Sequence, residues 1–481
     1  MVRRLLALLA VAALGGCAVG PNYRTPATPP TASGSFVSSA PASVSSDALP
    51  ADWWRLYDDP VLDRLVREAL VQNDDLKVAA ANLANAEALV SQARAGLFPS
   101  TTADAAFTRE RAATAASAIT SYASQKEPAL SVYSTGFTAA YQVDLFGQVR
   151  RSIQAAKANA ESEAAAEDAV RVTVAAETSA AYANVCGYAQ QAAVARRSLR
   201  VVQDGYDIAV RQRDAGALSD FDVERQATLL EQARAAVPVF EGQRRAALFE
   251  LTALLGKTPA EAPADAAACA TPPKVKQPLP VGDGAALLKR RPDIRQADRT
   301  LASVTAKIGV ATASLFPSVS LGGSISGSAL EPSKIFNYNA VAYSLGPLIT
   351  WTFPNTLVAL AQIREAKAVA SGALASFDST VVQALKESEQ ALTTYAAELQ
   401  RHTALAAARD HAHQAFVLAK IQYEAGTASY LDLLTAETTL VSADQALAAS
   451  DQLIATDQVA VFQALGGGWE DAPRVVPPKV G

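Results

Sequence analysis

The chain has 481 residues, half of them hydrophobic and 19% charged, with 42 basic against 47 acidic residues and a net charge of -5. That balance, with no basic cluster interleaved with aromatics, excludes nucleic acid as a partner. Beyond the N-terminus there is no run of some 18 apolar residues, so no permanent transmembrane helix is expected and any membrane crossing must be made by strands.

The first element is "MVRRLLALLAVAALGGCAVG": two arginines, an apolar run from Leu5 to Leu14, then small residues before Cys17. Residues 1–16 read as a secretory signal peptide, too short to remain in a membrane as a helix. Residues 17–50 are rich in Pro, Ser, Ala and Thr, which predicts an extended, solvated tether. The folded part opens near "DWWRLYDDPVLDRLVREAL", with a helix expected from Val61 to Leu97 and stopped by Phe98-Pro99. Strands are expected at about 100–113 and 131–146. From about Gln148 to Arg213 the chain lacks proline and is rich in Ala, Glu, Gln and Arg, which predicts a helix of some 65 residues, roughly 100 Å long. Gly216 suits the left-handed position that ends it. Ser219 suits the N-cap of a return helix reaching Leu255, with Asp222 three residues on.

Residues 51–256 thus form one repeat, and the Pro- and Ala-rich stretch 257–282 is a linker beside the middle of the helices. The pattern then returns over 283–468. A helix from Pro292 to Leu315 stops at Phe316-Pro317, strands follow at about 317–328 and 339–353, and a second long helix runs from Pro354 to about Glu424. Gly426, Ser429 and Asp432 repeat the turn, and a return helix reaches Leu465. Ala215, Gly216, Ser219, Asp222, Thr228 and Leu230 match Ala425, Gly426, Ser429, Asp432, Thr438 and Leu440 at a constant separation of 210. "RAGLFPS" and "TASLFPS" match at 218, so the first copy holds about eight more residues between the two landmarks. Length alone suggests about three domains; the duplication argues instead for one architecture built twice. Residues 469–481 are expected to be a loose tail.

The strands alternate with period two. Val319, Leu321 and Ile325 share one face while Ser318, Ser320, Ser324 and Ser326 share the other; Val341, Tyr343, Leu345, Ile349, Trp351 and Phe353 form one apolar row, and Tyr133, Phe137, Tyr141 and Val143 another. Taken singly, each strand also fits an ordinary half-buried antiparallel sheet. Two such hairpins, each joined to a long helix behind a secretory signal, fit a membrane barrel with lipid outside and water inside. Four strands cannot close a barrel. Two copies would give eight strands and three would give twelve.

"CAVGPNYRTP", "DWWRLYDDPVLDRLVREAL", "LLKRRPDIRQADRTLASVTAKIGVATASLFPSVSLGG" and "ALGGGW" resemble the outer membrane factor family, specifically its NodT-type lipoproteins, relatives of TolC. The resemblance spans essentially the whole mature chain. It implies a mainly α fold with a membrane β-barrel: a tandem-repeat protomer of long helical hairpins plus four strands, assembling as a homotrimer with a twelve-strand barrel and a twelve-helix periplasmic tunnel. The implied role is the passive exit duct of a tripartite efflux system, serving a periplasmic adaptor and an inner-membrane pump of RND type. "LGGC" resembles a bacterial lipobox, which implies palmitate-type lipidation of Cys17; Ala18, where aspartate would retain the protein elsewhere, implies sorting to the outer membrane. In the family the tip of the second repeat forms the constriction, and Leu431, Asp432 and Thr435 match its gate positions. Many relatives carry a second acid where this chain has Thr435, so a double-acid gate does not carry over. Asp222 and Asp432 also have a purely structural reading as capping-box acids at the positive end of a helix.

Of three cysteines, Cys17 is assigned to lipid. By residue count Cys186 lies some 55 to 60 Å along its helix, the height at which the linker bearing Cys269 should emerge. An oxidising periplasm permits a bridge between them, and two free thiols are the alternative. His402, His411 and His413 fall on the second long helix; the last two point to different faces and a solvated surface is expected for all three, with no metal site. No phosphate loop, CxxC motif or nucleophile-base pairing is present, so neither an enzyme nor a cofactor is expected. The rival reading is a periplasmic coiled-coil adaptor or structural lipoprotein, which would not need the two aromatic strand hairpins.

Overall fold

A computed structural model describes residues 18–38, 43–111, 129–276, 278–354 and 356–478. The signal peptide, Cys17, the far end of the first expected strand near residue 113 and the end of the tail lie outside the described residues. Eight helices of seven or more residues run through them: α1 Pro60–Gln72, α2 Asp74–Ala95, α3 Gln148–Asp214, α4 Asp220–Leu254, α5 Gly284–Arg290, α6 Pro292–Ala313, α7 Leu357–Glu424 and α8 Tyr430–Ala464. Four strands form one sheet: β1 Ser100–Glu110, β2 Leu130–Val143, β3 Ser318–Ala329 and β4 Val341–Thr350. The chain divides into two compact units, and each draws on both halves of the sequence.

The first unit comprises the chain through Pro26, Asn85–Ser162 and Asp298–Ser376. Its sheet is antiparallel throughout in the order β1-β2-β3-β4. Register places Ala103, Phe137, Ile325 and Tyr343 side by side on one face, and Thr102, Thr138, Ser324 and Ser344 on the other. Along the polar row the Ser324 and Ser344 hydroxyls are 2.8 Å apart. On the apolar row Phe107 stacks obliquely on Tyr133 with ring centres 4.9 Å apart. This face is bare: Ile325 is 51% exposed, Ile349 66%, Leu345 81% and Tyr343 85%.

The strand hairpins meet their helices where Phe316, just before Pro317, packs on Phe146, just before the start of α3. Phe146 and Phe316 stack at 4.5 Å, one from each repeat. Asp144 starts α3 by accepting the Val149 and Arg150 N–H groups at 3.0 Å each, which meets donors that no helical carbonyl can reach. The long helix of the second repeat starts later than expected. Its first bond runs from the Leu360 N–H to the Thr356 carbonyl, so Pro354 lies outside the first turn rather than within it.

The second unit comprises Ala27–Ala84, Glu163–Ala297 and Phe377 onward. Its core gathers around Trp53, fully buried and stacked on Phe462 at 4.7 Å. The backbone at Gly467 runs so close that a Cβ there would lie 2.5 Å from the Leu49 side chain. The single helix expected over Val61 to Leu97 is two, because Asn73 breaks it. Asn73 is extended at ψ 135°, and its side-chain oxygen accepts the Asp75 and Leu76 N–H groups at 2.9 and 3.2 Å, making it the stop of α1 and the cap of α2.

The tether and the tail, expected to be solvated and loose, are packed, and so is the linker. The stretch after Cys17 is extended but not solvated: in the first unit the Arg151 guanidinium donates to the Val19 and Gly20 carbonyls at 3.0 and 3.1 Å. In the second unit Phe36 and Leu49 are buried, and Val44–Ser45 pairs in parallel with Leu279–Pro280. The linker buries Ala266, Leu279 and Val281, and its Val275 N–H meets Gln458 Oε1 at 3.2 Å. In the tail Trp469 lies under the Arg295 guanidinium at 4.6 Å and Val475 is buried. Scattered apolar residues within these segments supply the burial that composition averages away.

Cys186, fully buried on α3, is bonded to Cys269 of the linker, with Cα atoms 5.0 Å apart and a sequence separation of 83. Closing so long a loop stabilises by at most about 4.5 kcal/mol on the chain-entropy account. Reductant alone should therefore lower the melting temperature of the purified protein, and Cys269→Ser should melt at the reduced value and respond no further. A reductant-independent melting temperature in the parent chain would remove the bridge from the account.

Candidate functional site

The two hairpin tips, both in the second unit, are built on one plan. At the first, Gly216 has φ +78° and its N–H reaches the Arg213 carbonyl at 2.8 Å, while Ala217 N–H reaches the Gln212 carbonyl at 2.8 Å. At the second, Gly426 has φ +75°, with bonds to Tyr423 at 3.0 Å and from Thr427 to Gln422 at 2.9 Å. This is the paired-bond helix stop that needs a left-handed residue, where a side chain would be strained.

The return helices start identically as well. Ser219 Oγ accepts the Asp222 N–H at 3.3 Å while Asp222 returns a carboxylate oxygen to the Ser219 N–H at 3.4 Å. The corresponding distances at Ser429 and Asp432 are 3.2 and 3.0 Å. Hydrogen bonds from the Ser429 hydroxyl and then its backbone hold the Asp432 carboxyl below the usual carboxylate range. The capping reading of both acids is therefore realised in the geometry, and it leaves the outer face of each acid free for another role.

What distinguishes the tips is which side chains they expose. Leu431, Asp432 and Thr435 lie on one solvent-facing strip of α8, with Leu431 50% exposed. The Thr435 hydroxyl is bonded back to the Leu431 carbonyl at 2.8 Å, so only Asp432 offers charge there. At the first tip Phe221 takes the place of Leu431 and carries the Arg225 guanidinium over its ring at 5.7 Å. Arg225 stands one turn from Asp222, whereas among the described residues no cation acts on Asp432. Between the tips Tyr430 is buried with Ala209 and Val223, its ring 5.7 Å from that of Tyr423. The Tyr423 hydroxyl in turn meets Gln212 Oε1 on the other hairpin.

Sequence reasoning missed two polar contacts. His402 is not simply solvated: its Nε2 lies 2.8 Å from Asp451, which also takes the Gln190 amide at 2.7 Å and the Lys274 ammonium of the linker. Glu437 is buried beside Gln226. Tyr430, Glu437, Asp444, Asp451 and Gln458 recur every seventh residue, a spacing that would have placed them on one helix face. His411 and His413 are exposed, and among the described residues no cluster of three or more His, Cys, Asp or Glu is placed to hold a metal. Ala18, next in sequence to Cys17, sits against Gly147 at the start of α3.

The profile of the family described as outer membrane efflux protein matches residues 65–257 and 285–467. Outer membrane protein OprJ of Pseudomonas aeruginosa is 30% identical over 98% of this chain and 97% of its own. Nodulation protein T of Rhizobium leguminosarum is 30% identical over 99% of this chain and 95% of its own. Among solved structures, the outer-membrane channel OprN superposes with a TM-score of 0.86 at 34% identity, covering 94% of this chain and all of its own. The adaptor alternative gives way to these matches.

The tip geometry predicts that Ser429→Ala, which removes a cap worth about 1 kcal/mol, lowers amide-exchange protection in the first turn of α8 about fivefold without changing the rest of the chain. Since Asp432 is shifted down, its share of the cap is complete above the ordinary carboxylate range and is lost as pH falls through the depressed value. Protection at this turn should fall on acidification accordingly; a pH-independent tip would contradict the capping box.

Proposed function

The chain belongs to the outer membrane efflux protein family, and we propose that three copies of it close a twelve-strand barrel in the outer membrane and continue into a twelve-helix periplasmic tunnel. It is an outer membrane efflux channel, a conduit rather than an enzyme. The observation that carries the membrane assignment is the bare aromatic face of the sheet: large exposed apolar areas are unstable in water and required against lipid.

In the proposed assembly, repeats 51–256 and 283–468 supply two strands and one helical hairpin pair each, with 257–282 between them. Cys17 carries the lipid, residues 17–50 tie it to the body, and 1–16 are removed on export. The relatives named as efflux pump outer membrane proteins support a periplasmic adaptor and an inner-membrane pump, of RND type, as partners. Leu431, Asp432 and Thr435 form the resting constriction, with Leu431 supplying the apolar collar and Asp432 one carboxylate per protomer. Three like charges around a narrow axis oppose anions and admit cations.

Asp432→Ala should weaken cation preference and raise conductance in planar bilayers more than Asp222→Ala, because Asp222 is half-buried while Asp432 is exposed on the strip that forms the proposed constriction. Equal, unchanged selectivity in both variants would reduce the tips to helix caps. Cys17→Ser, exported by an independent signal, should still yield membrane-inserted assemblies, since twelve apolar strand faces bury far more surface than acyl chains do. Loss of all membrane association would make the lipid the principal anchor.

A further inference from the structure

The stripe of every seventh residue along α8 carries three acids, and the two half-buried ones are matched. Asp444 accepts the Arg409 guanidinium at 2.9 Å, and Asp451 has Lys274, His402 and Gln190 around it. Glu437, only 5% exposed, has no cation. It sits where α8 of the second hairpin meets both helices of the first. A Cβ at Gly205 of α3 would lie 2.5 Å from the Gln226 amide nitrogen of α4 and 3.4 Å from the Glu437 carboxylate, so the glycine lets the three backbones close over the acid. Among the described residues, Glu437 Oε1, Gln226 Oε1 and the Tyr430 hydroxyl have no hydrogen-bond partner. A buried carboxylate with an orphaned oxygen is costly, and it becomes a donor as soon as it is protonated.

We propose that Glu437 is a proton-binding site that latches the second helical hairpin onto the first, so that the tips are held together when it is protonated and released when it ionises. Protonation leaves the buried carboxyl neutral, which removes the cost of holding an unpaired charge away from water. The other titratable and charged groups around this corner are few. Tyr206 of α3 and Tyr423 of α7 line the same cluster, and Asp222 and Arg225 of α4 face Tyr430 rather than the acid. Burial accordingly pushes the Glu437 carboxyl from its ordinary 4.5 up to about 7, with the Gln226 amide opposing only in part. The sign is that of an acid shifted up: the closed contact has its full stability below the ordinary value and loses it as pH rises through the shifted one. The inference rests on the tip being the part of the duct that moves, but it concerns contact between the two hairpins and not what passes between them.

The test is amide hydrogen exchange on the full mature protein in detergent, following residues 202–226 and 430–440 after correction for intrinsic exchange rates. Between about pH 5.5 and pH 8 protection at these amides should fall about 25-fold, the ratio set by titrations near 4.5 when open and 7 when closed. Glu437→Gln, which keeps the donor at every pH, should abolish that fall, and Gln226→Leu, which withdraws the hydrogen bond favouring the carboxylate, should move the midpoint upward. Asp432→Asn should leave the fall in place. An unchanged pH response in Glu437→Gln, or none in the parent chain, overturns the latch. A normal exchange response with pH-independent conductance keeps the latch and sinks the tip as the conducting constriction.

Discussion

Backbone N–H and C=O groups along the outer edges of β1 and β4 face no other strand of the described chain, and in hydrocarbon each unmatched group costs several kcal/mol. The same sheet cannot retreat into water, because one face presents Tyr343, Leu345 and Ile349 almost naked. Both demands are met together in the proposed assembly, where β4 of one copy pairs with β1 of the next. Pairing in that order continues the antiparallel alternation of the sheet and returns every edge group to a partner. The tandem duplication gives this logic a simple origin: a hairpin with two open edges becomes two hairpins with two open edges, and closure still awaits further copies.

The second unit obeys a different economy, that of a water-soluble core. Trp53 and Phe462 bring the start of the folded chain against its end, and the linker is held by Lys274 on Asp451, Val275 on Gln458 and the Cys186 bridge. Polar and ionic groups are matched through most of this unit. Buried polar atoms without a partner are spread along it, at Arg171, Thr178, Gln190 and Trp469 as well as at Glu437, Gln226 and Tyr430, and the last three are the ones gathered near the tips. The tip cluster is the one of these in which a carboxylate, that of Glu437, has an unmet oxygen, and an unmet buried carboxylate is costly.

Much of this was legible in the sequence because it rests on local chemistry. Gly216, Ser219 and Asp222 announce a helix stop and a capping box within seven residues, and the repeat at Gly426, Ser429 and Asp432 states it again. Alternation in "SVSLGGSIS" fixes which face of β3 meets lipid. What composition obscured is long-range burial. The segments around Phe36, Leu279 and Val475 read as Pro-rich, yet single apolar residues seat each of them. Asn73 is one polar residue in an otherwise helical run, and only its two side-chain bonds reveal a break. Glu437 lay hidden because its weight comes from the missing cation across a helix interface, which no spacing in one strand of text displays.

The central claim is that the sheet is completed by copies of the same chain, and a cross-link across the open edge tests it most directly. Cys17 is assigned to lipid and Cys186 and Cys269 are bonded to each other, so engineered thiols would be the reactive ones. Because closure staggers the register, cysteines placed in turn at Ser100, Thr102, Asp104, Ala106 and Thr108 on β1, each with Ser344→Cys on β4 and all on the polar face, should be joined by a short bismaleimide at one register in intact membranes. Denaturing gels should then show a ladder that stops at three chains. A monomer band alone, a ladder ending at two, or one that runs on without limit would contradict closure by a trimer.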